Sequence, residues 1–212
     1  MTTYYLKLTL VSDATFGRGD GIAGLVDVEV EQDQYGLPYL RGRTLKGLWR
    51  EECENLIAVH PQGATWKTQC DALFGQGGSD LDSTGLLHVG DARLPAAVRD
   101  AVCEAQLPAH EILTSLTTIR RQTAIEPNGI AKDHSLRSMR AVVRKTTFIS
   151  PITTHRPLKP NEESVLLAGC YALRRVGTGR NRGRGEVQCR LHDAAGAALS
   201  AHLLQGFVGG QV

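Results

Sequence analysis

Residues 36–50 form a strand-to-helix segment and read Gly36-Leu37-Pro38-Tyr39-Leu40-Arg41-Gly42-Arg43-Thr44-Leu45-Lys46-Gly47-Leu48-Trp49-Arg50. Thr44 can cap a helix, and apolar residues then recur at i, i+3 and i+4 spacing to about Val59, which predicts one buried face. Cations at a helix start favour an anion, because free N–H groups and the helix dipole already attract one. Gly47 costs ~1 kcal/mol in helix propensity. We therefore expect either a ligand or a packed helix to pass close to it.

Hydrophobic patterning on either side of this stretch predicts four strands and three further helices. Tyr4, Leu6, Leu8 and Leu10 alternate with polar residues, as on a half-buried strand. The later elements are expected at 66–74 (helix), 86–92 (strand), 95–105 (helix), 146–153 (strand), 161–176 (helix capped by Asn161) and 187–191 (strand). Pro151 indicates an edge or a bulge in the third strand. Residues 77–83 are typical of an exposed, turn-rich loop.

Without its insertions, the chain has the order strand, helix, strand, strand, helix, strand, which is the ferredoxin-like split βαβ arrangement. We predict the α+β class, with a single ferredoxin-like (RRM-like) core at about 3–92 and 146–192 in one domain of residues 1–212. The large insertion at about 93–145 is expected to have a function, because it holds the longest basic segment. A Gly-rich loop at 177–185 separates the last helix from the last strand.

Positive charge is concentrated in three short segments, 41–50, 120–145 and 174–190. They hold 17 of the 24 Lys and Arg residues against three acidic ones and net +14, whereas the rest of the chain nets −12. Such a separation is expected if the segments converge on one polyanion whose phosphates they neutralise. Nucleic acid is the natural candidate, and solvated surface faces are the alternative.

The last basic segment is rich in both glycine and arginine and reads Arg174-Arg175-Val176-Gly177-Thr178-Gly179-Arg180-Asn181-Arg182-Gly183-Arg184-Gly185-Glu186-Val187. Glycines with positive φ bring backbone N–H groups against phosphate oxygens, while arginines add charge and bidentate contacts. The segment fits neither the nucleoside-triphosphate loop pattern nor a dinucleotide fingerprint, since it follows a helix and precedes a strand. Its place between two regular elements favours an ordered phosphate cradle over a flexible Arg-Gly tract.

The remaining composition argues against several classes of protein. No apolar run approaches the roughly 18 residues of a membrane span. The residues after Met1 lack a signal-peptide core, so we expect a soluble, cytoplasmic protein with no membrane partner. The five scattered cysteines lack C-x-x-C spacing and are expected to be buried, reduced thiols. The aromatic RNP pattern is absent from both candidate central strands, which disfavours a generic single-strand binder built on stacked rings.

Three features in this order resemble the repeat-associated RAMP superfamily of CRISPR proteins: the stretch 36–50, then Asp71-Ala72-Leu73-Phe74-Gly75, then the Gly-rich loop. Within it the chain looks most like the backbone subunit of type III interference complexes, which serve antiviral defense. The resemblance implies a subunit that polymerises along the CRISPR RNA. Its implied partners are CRISPR RNA, single-stranded target RNA, other CRISPR effector subunits, and itself or paralogous subunits along the guide.

The resemblance also implies a set of RNA-binding residues. Residues 117–145 look like the family's thumb, a hairpin that wedges into the guide and target strands and flips out a nucleotide periodically. Pro127-Asn128-Gly129 suits its tip, and Ile125 and Ile130 are the candidate apolar wedge, with ordinary packing as the alternative. The implied RNA-binding residues are Arg41, Gly42, Arg43, Thr44, Lys46, Gly47, Arg50, Arg120, Arg121, Lys132, Arg137, Arg140, Gly177, Gly179, Arg180, Arg182, Gly183, Arg184 and Gly185.

The family's target-cleaving subunits carry an aspartate between the first strand and the first helix, and Asp27 matches it best by its distance from residues 36–38. The resemblance implies that this carboxylate holds Mg²⁺ or Mn²⁺ near the scissile phosphate, or orients the RNA's own 2′-hydroxyl. Val28-Glu29 departs from the family's small residue and Pro after the aspartate. Asp20 is the second candidate. The alternative is a solvated acidic strand face at 26–31.

Our leading hypothesis is therefore a CRISPR RNA-binding backbone subunit that also cleaves guide-paired target RNA as a metal-dependent endoribonuclease through Asp27. A nuclease-inactive scaffold subunit of the same complex is the first alternative. The second is a repeat-RNA processing endoribonuclease, which would use a histidine as acid or base. Its candidates are His88, His110, His134 and His155.

Overall fold

The structure, a computed structural model, describes residues 1–76, 84–127 and 129–208. Its strands are β1 (Thr2–Leu10), β2 (Leu87–Val89), β3 (Thr117–Gln122), β4 (Arg137–Val142), β5 (Thr147–Thr154) and β6 (Val187–His192). Its helices are α1 (Gly42–Ala58), α2 (Gly63–Phe74), α3 (Ala96–Ala105), α4 (Ala109–Leu116), α5 (Pro160–Ala172) and α6 (Gln205–Val208), with 3₁₀ turns at Arg180–Arg182 and Ala201–Leu204. The loop predicted at 77–83 and Asn128 of the predicted thumb turn lie outside the described residues.

Four antiparallel strands form the main sheet in the order β2-β5-β1-β6. The first and third strands of the core are therefore central, as in the ferredoxin-like arrangement. In β1, Leu6 lies opposite Ser150 of β5 on one side and Leu191 of β6 on the other. Alternate residues of β1 from Tyr4 to Leu10 are buried. The predicted fold class and the strand period are confirmed.

Helices α1, α2 and α5 pack together over one face of the main sheet. The buried stripe of α1 includes Leu45, Trp49, Cys53 and Ile57. The indole Nε1 of Trp49 donates a hydrogen bond to the carbonyl of Leu166 in α5 at 3.1 Å. A Cβ added to Gly169 of α5 would lie 2.1 Å from Cys53 Sγ, so the close approach of these two helices requires glycine there.

The starts of two helices differ from the prediction. The first begins at Gly42 rather than Thr44. A Cβ on Gly42 would lie 2.2 Å from the carbonyl oxygen of Val89, so packing against β2, and not a side-chain cap, fixes this helix start. The N-cap of α5 is Lys159 rather than Asn161, and the helix opens on a proline, whose missing N–H costs nothing there.

The last core helix is also shorter than predicted, because the chain after it forms a second structure. α5 ends at Ala172 instead of Val176. Segments 174–176 and 185–187 pair antiparallel through backbone hydrogen bonds of 2.8 and 2.9 Å. The Gly-rich loop is therefore closed at its base, which agrees with an ordered loop and not with a flexible Arg-Gly tract.

Pro151 lies in a central strand, opposite a bulge. The N–H of Gly90 donates to the Pro151 carbonyl at 2.8 Å, and pairing resumes between Arg93 and Ile149. Residues 90–92 thus lie opposite only two residues of β5. The side of Pro151 that lacks an N–H faces this irregular stretch, so its ring removes no bond from a regular ladder.

The insertion ends in a two-stranded sheet, β3 with β4, which extends into the hairpin at residues 117–142 that we call the thumb hairpin. Thr117 lies opposite Val142 at its base, and a bridge between Ile125 and Ala131 lies beyond its outer end. Helix α4, which leads into β3, was not predicted, although its Ile112 and Leu113 are buried.

Four of the five cysteines are buried, as expected, and one is exposed. Cys53, Cys70, Cys170 and Cys189 are buried free thiols. Cys103 is exposed, contrary to expectation, because α3 buries none of its residues. No helix in the described part of the chain is long and apolar enough to cross a membrane.

Candidate nucleic-acid interface

A groove of about 830 Å³ lies between the thumb hairpin and the Gly-rich loop, and we call it the cationic groove. Its lining residues come from three distant parts of the chain: Asp27 and Val28, then Gln122, His134, Leu136, Arg137, Ser138 and Met139, then Gly177, Thr178, Gly179, Arg180, Asn181, Arg182 and Arg184. The second and third basic segments therefore face one cavity, which agrees with the charge distribution of the sequence.

A second cavity, of about 290 Å³, adjoins the cationic groove at the start of α1. It is lined by Phe16, Gly17, Glu31, Leu40, Arg41, Thr44, Leu48, Gly177, Thr178 and Arg180. The last three of these residues line both cavities. All three basic segments thus contribute to adjoining surfaces, with the Gly-rich loop between them.

The Gly-rich loop keeps its shape because its glycines take conformations that other residues avoid. Gly177 and Gly185 have φ of 82° and 68°. A Cβ on Gly177 would lie 2.5 Å from the carbonyl oxygen of Thr15, and one on Gly185 would lie 1.9 Å from that of Val176. The N–H of Thr178 also donates to the Thr15 carbonyl at 2.8 Å. The loop is therefore fixed against the segment that follows β1.

The three arginines of the Gly-rich loop differ in their contacts. Arg180 donates two hydrogen bonds of 2.9 Å to the carboxylate of Glu51 in α1. Arg184 contacts the sulfur of Met139 in β4 at 2.7 Å. Arg182 is exposed and forms no ion pair with a described residue. Arg182 is therefore ready to take a phosphate, whereas Arg180 would first have to release Glu51.

Asp27 lies in the wall of the cationic groove and is held by the thumb hairpin. The N–H of Ser138 donates to Asp27 Oδ2 at 2.6 Å, and the Ser138 hydroxyl lies 3.2 Å from the same oxygen. These hydrogen bonds, helped by the charge of Arg137, hold the pKa of the Asp27 carboxyl below its ordinary value. Asp27 is exposed. Its hydrogen bonds to Ser138 keep it ionised at neutral pH and fix its orientation.

A divalent cation beside Asp27 would need further ligands from bound RNA. Among the residues that the structure describes, no three His, Cys, Asp or Glu side chains cluster into a metal site. Mg²⁺ usually keeps several waters and is bound by one or two carboxylates together with substrate phosphates. A single exposed carboxylate fits that mode of binding and does not fit an all-protein cage.

The other carboxylates near Asp27 are engaged elsewhere. Asp20, the second catalytic candidate, pairs with Arg18 at 2.5 Å and lies outside the cationic groove. Glu29 and Glu31, which alternate with Asp27 in the sequence, are both buried. The alternative of a solvated acidic strand face is therefore wrong, because only Asp27 of the three is exposed.

Several of the implied RNA-binding cations have partners within the protein. The ion pairs are Arg41 with Glu31, Arg50 with Glu54, Arg120 with Asp13 and Arg140 with Glu29. Arg140 is buried, so its guanidinium faces the protein interior, whereas the other three arginines stay partly exposed. The exposed cations that form no ion pair with a described residue include Arg43, Arg121, Lys132, Arg137 and Arg182.

Lys46 and Gly47 are neighbours in α1 with opposite environments. The ammonium of Lys46 donates to the Leu87 carbonyl of β2 at 2.8 Å. Burial, with repulsion from Arg50, lowers the pKa of Lys46, and the residue lines neither cavity. Gly47 is exposed, and a Cβ there would meet no atom within 4 Å. Tight helix packing therefore does not explain Gly47, and close approach of a ligand stays a prediction.

Exposed apolar side chains follow the thumb hairpin. Ile125 and Ile130 are 69% and 64% exposed, so ordinary packing does not account for them. Leu136, also 66% exposed, was not identified from the sequence. Together with Arg121 and residues 21–27, it lines a third cavity of about 510 Å³ on the flank of Asp27. Its signal in the sequence is one apolar residue between the charged residues at 132–137.

Of the four histidines considered for RNA processing, His134 alone lines the cationic groove. It has a φ of 57°, in the left-handed region. His88, His110 and His155 are exposed and lie outside the cationic groove.

Comparisons with known proteins identify a family by sequence and a shared fold by structure. A family profile described as the RAMP superfamily matches residues 7–188. No curated protein matches the chain. The fold is similar to that of a chain in a cryo-EM structure of the type III-B Cmr-beta complex bound to cognate target RNA, with 12% identity, a TM-score of 0.64, and 89% of this chain and 96% of that chain covered. The apo state of Cmr-beta gives 12% identity, a TM-score of 0.65 and the same coverage.

A chain of a type IV-B CRISPR complex is 15% identical, with a TM-score of 0.61 and 91% of both chains covered. At these identities, the likeness to solved structures establishes a common fold. The family profile covers most of the sequence and includes the thumb hairpin and the Gly-rich loop. The chain therefore belongs to the RAMP superfamily.

Proposed function

We propose that this chain binds CRISPR RNA as a backbone subunit of a type III interference complex and cleaves guide-paired target RNA at Asp27. One observation carries the proposal: a fixed, ionised carboxylate lies in the same groove as the unpaired cations Arg137 and Arg182. A groove with this charge suits a phosphate backbone. The carboxylate is then within the region that an RNA strand would cross.

Guide binding would rest mainly on phosphate contacts. Arg137 and Arg182 offer guanidinium groups from opposite walls of the cationic groove, and Arg43 adds one at the start of α1. Gly47 leaves room for a sugar-phosphate backbone to approach the helix closely. Because such contacts do not read bases, the subunit would accept any guide sequence.

In target cleavage, Asp27 would act as a fixed negative charge. Its lowered pKa makes it a poor proton carrier near neutral pH, and this favours a role in holding Mg²⁺ or Mn²⁺ together with RNA phosphate oxygens. Such an ion would neutralise charge that develops on the scissile phosphate. Alternatively, Asp27 would orient the 2′-hydroxyl of the RNA for in-line attack. Attack by the 2′-hydroxyl expels the 5′-oxygen and leaves a 2′,3′-cyclic phosphate and a 5′-hydroxyl, whereas attack by a water held on the ion would leave a linear phosphate, so the termini of the products identify the nucleophile.

The proposal is tested by expressing the chain in its host background, sequencing the RNA that purifies with it, and supplying complementary target RNA with Mg²⁺. We expect repeat-derived guide RNA and regularly spaced cuts. Asp27→Asn should remove the cuts while guide RNA still purifies. Asp20→Asn is the matched control, because Asp20 is exposed in the same loop but lies outside the groove.

Unchanged cutting by Asp27→Asn would remove the catalytic assignment. Guide binding without any cutting by the unmodified protein would favour the nuclease-inactive scaffold. The position of His134 in the cationic groove keeps repeat-RNA processing as a second candidate. Repeat-RNA cleavage in EDTA that is lost in His134→Ala would favour that activity instead.

A further inference from the structure

The face of the main sheet opposite the core helices is open and forms one side of a separate cavity of about 620 Å³. The other side is formed by residues 91–99, at the start of α3. We call this cavity the outer-face pocket and define it by Tyr5, Lys7, Arg99, Pro151 and His192. Its volume lies in the range of about 300–1,000 Å³ that is typical of small-ligand sites.

The floor of the outer-face pocket is flat and partly aromatic. Tyr5 lies on central strand β1, opposite Pro151 of β5 on one side and His192 of β6 on the other. Tyr5 is 38% exposed, although its neighbours along the strand are buried. An exposed ring on a central strand of a four-stranded sheet is the arrangement on which RNA-binding sheets stack bases.

Lys7 and Arg190 border this floor without an acidic partner among the described residues, and the pocket lining also includes the ion pair of Arg93 with Asp91. Lys7 lies directly opposite Arg190 across β1 and β6. Like charges in such positions destabilise a sheet unless an anion is shared between them. Neither residue forms an ion pair within the described ranges, 1–76, 84–127 and 129–208. Both side chains are exposed to water, and an anion bound between them would relieve their repulsion.

Two buried polar atoms of the pocket residues also have no hydrogen-bond partner among the described residues. They are Arg99 Nε and His192 Nε2. His192 Nδ1 lies 3.0 Å from the carbonyl oxygen of Gly196 and must donate to it, so in the neutral ring Nε2 is an acceptor. Both atoms are buried, so neither is open to a ligand in the pocket. A ligand that fits would instead use the exposed groups, with a flat ring against Tyr5 and an anionic group near Lys7.

We propose that the outer-face pocket binds one nucleotide of single-stranded RNA, with its base stacked on Tyr5 and its phosphate held by Lys7 and Arg99. This site is distinct from the cationic groove and shares no lining residue with it. It does not depend on Asp27 or on target cleavage.

The test uses the full-length chain and a pentanucleotide RNA that contains 4-thiouridine. After irradiation, the crosslinked peptides are identified by mass spectrometry, and affinity is measured by fluorescence anisotropy. Arg137→Glu combined with Arg182→Glu disables the cationic groove. In this background we expect a crosslink to the peptide that contains Tyr5. We expect Tyr5→Ala to weaken binding about tenfold, as for loss of one base stack, and Tyr5→Phe to leave it unchanged.

Lys7→Glu should weaken binding in the same background, while circular dichroism and the melting temperature report that the exposed substitutions leave the fold intact. Three results would overturn the proposal. The first is the absence of any crosslink to β1. The second is equal affinity of Lys7→Glu, Tyr5→Ala and the unmodified residues. The third is displacement of the RNA by an acidic peptide but not by adenosine monophosphate, which would assign the pocket to a protein partner.

Discussion

Arg140 Nε lies 2.8 Å from Glu29 Oε1 in an ion pair that is buried on both sides. The pair joins β4 of the thumb hairpin to the loop that carries Asp27, and Glu29 also accepts the N–H of Val30 at 2.8 Å. Two residues away on each strand, Ser138 holds Asp27. The candidate catalytic carboxylate is thus positioned by contacts with the thumb hairpin.

Removal of one member of this pair should destabilise the protein strongly. We expect Arg140→Ala to lower the free energy of unfolding by about 3–5 kcal/mol, because it leaves the Glu29 carboxylate buried without a counter-charge. Urea unfolding measures this loss. Arg137→Ala is the matched control on the same strand and should stay within about 0.5 kcal/mol, because Arg137 is exposed. Equal stability of the two variants would contradict the structural role of Arg140.

Gly47→Ala should separate stability from RNA binding. An alanine fits without a clash and should raise the stability by about 1 kcal/mol, because glycine is the poorer helix former. If an RNA backbone passes close to this helix, the same methyl group should weaken guide binding. Thermal unfolding and anisotropy with guide RNA measure the two effects. A variant that is more stable and binds RNA equally well would show that no strand approaches Gly47.

The salt dependence of RNA binding should distinguish the cations that face the groove from those that face the protein. The slope of log K against log salt should fall by about one unit for Arg182→Ala, since one phosphate contact is lost. Lys46→Met should leave the slope unchanged and affect stability instead, because its ammonium bonds the Leu87 carbonyl. An equal change in slope for both variants would mean that Lys46 also reaches the RNA.

The thumb tip should matter for RNA placement and not for folding. We expect Ile125→Ala combined with Ile130→Ala to leave the melting temperature within about 2 °C, because both side chains are largely exposed. If the tip wedges between nucleotides, the double variant should lose the periodic reactivity that chemical probing of a guide–target duplex detects. A probing pattern identical to that of the unmodified protein would remove the wedge assignment.

The start of α5 should make stability sensitive to acid. The guanidinium of Arg156, together with the N–H of Lys159, holds the pKa of the Glu162 carboxyl below its ordinary value. The contribution of Glu162 to the free energy of unfolding is therefore complete above the unfolded pKa of about 4.3. It is lost as pH falls through the lower pKa of the folded state. Glu162→Gln should cost about 1–2 kcal/mol at pH 7 and less near pH 3.

Urea unfolding at both pH values checks this expectation. Glu104→Gln, on exposed α3, is the control and should change stability little at either pH. A Glu162→Gln variant whose deficit is the same near pH 3 and pH 7 would show that the carboxylate does not act through its charge.

The order of the core elements and the approach of the basic segments were predictable because they follow from local patterns. Alternation along β1 and the stripe of α1 identify buried faces without knowledge of the tertiary fold. The contacts that position individual side chains were not predictable. Glu29 and Arg140 are 111 residues apart, and no local pattern relates them. From the sequence, Lys46 was predicted to bind phosphate. Its bond to the Leu87 carbonyl depends on how α1 packs against β2, which no local pattern shows.

The same bond of Lys46 has a consequence for assembly. On edge strand β2, the carbonyls of Leu87 and Val89 point away from the sheet. The Lys46 ammonium donates to the first of them, and Gly42 packs against the second. At the opposite edge, segments 174–176 and 198–199 bond to both ends of β6. Neighbouring copies therefore cannot lengthen the sheet by strand addition at these positions. Copies arranged along an RNA would have to recognise one another through side chains, which permits paralogues to differ in their choice of neighbour.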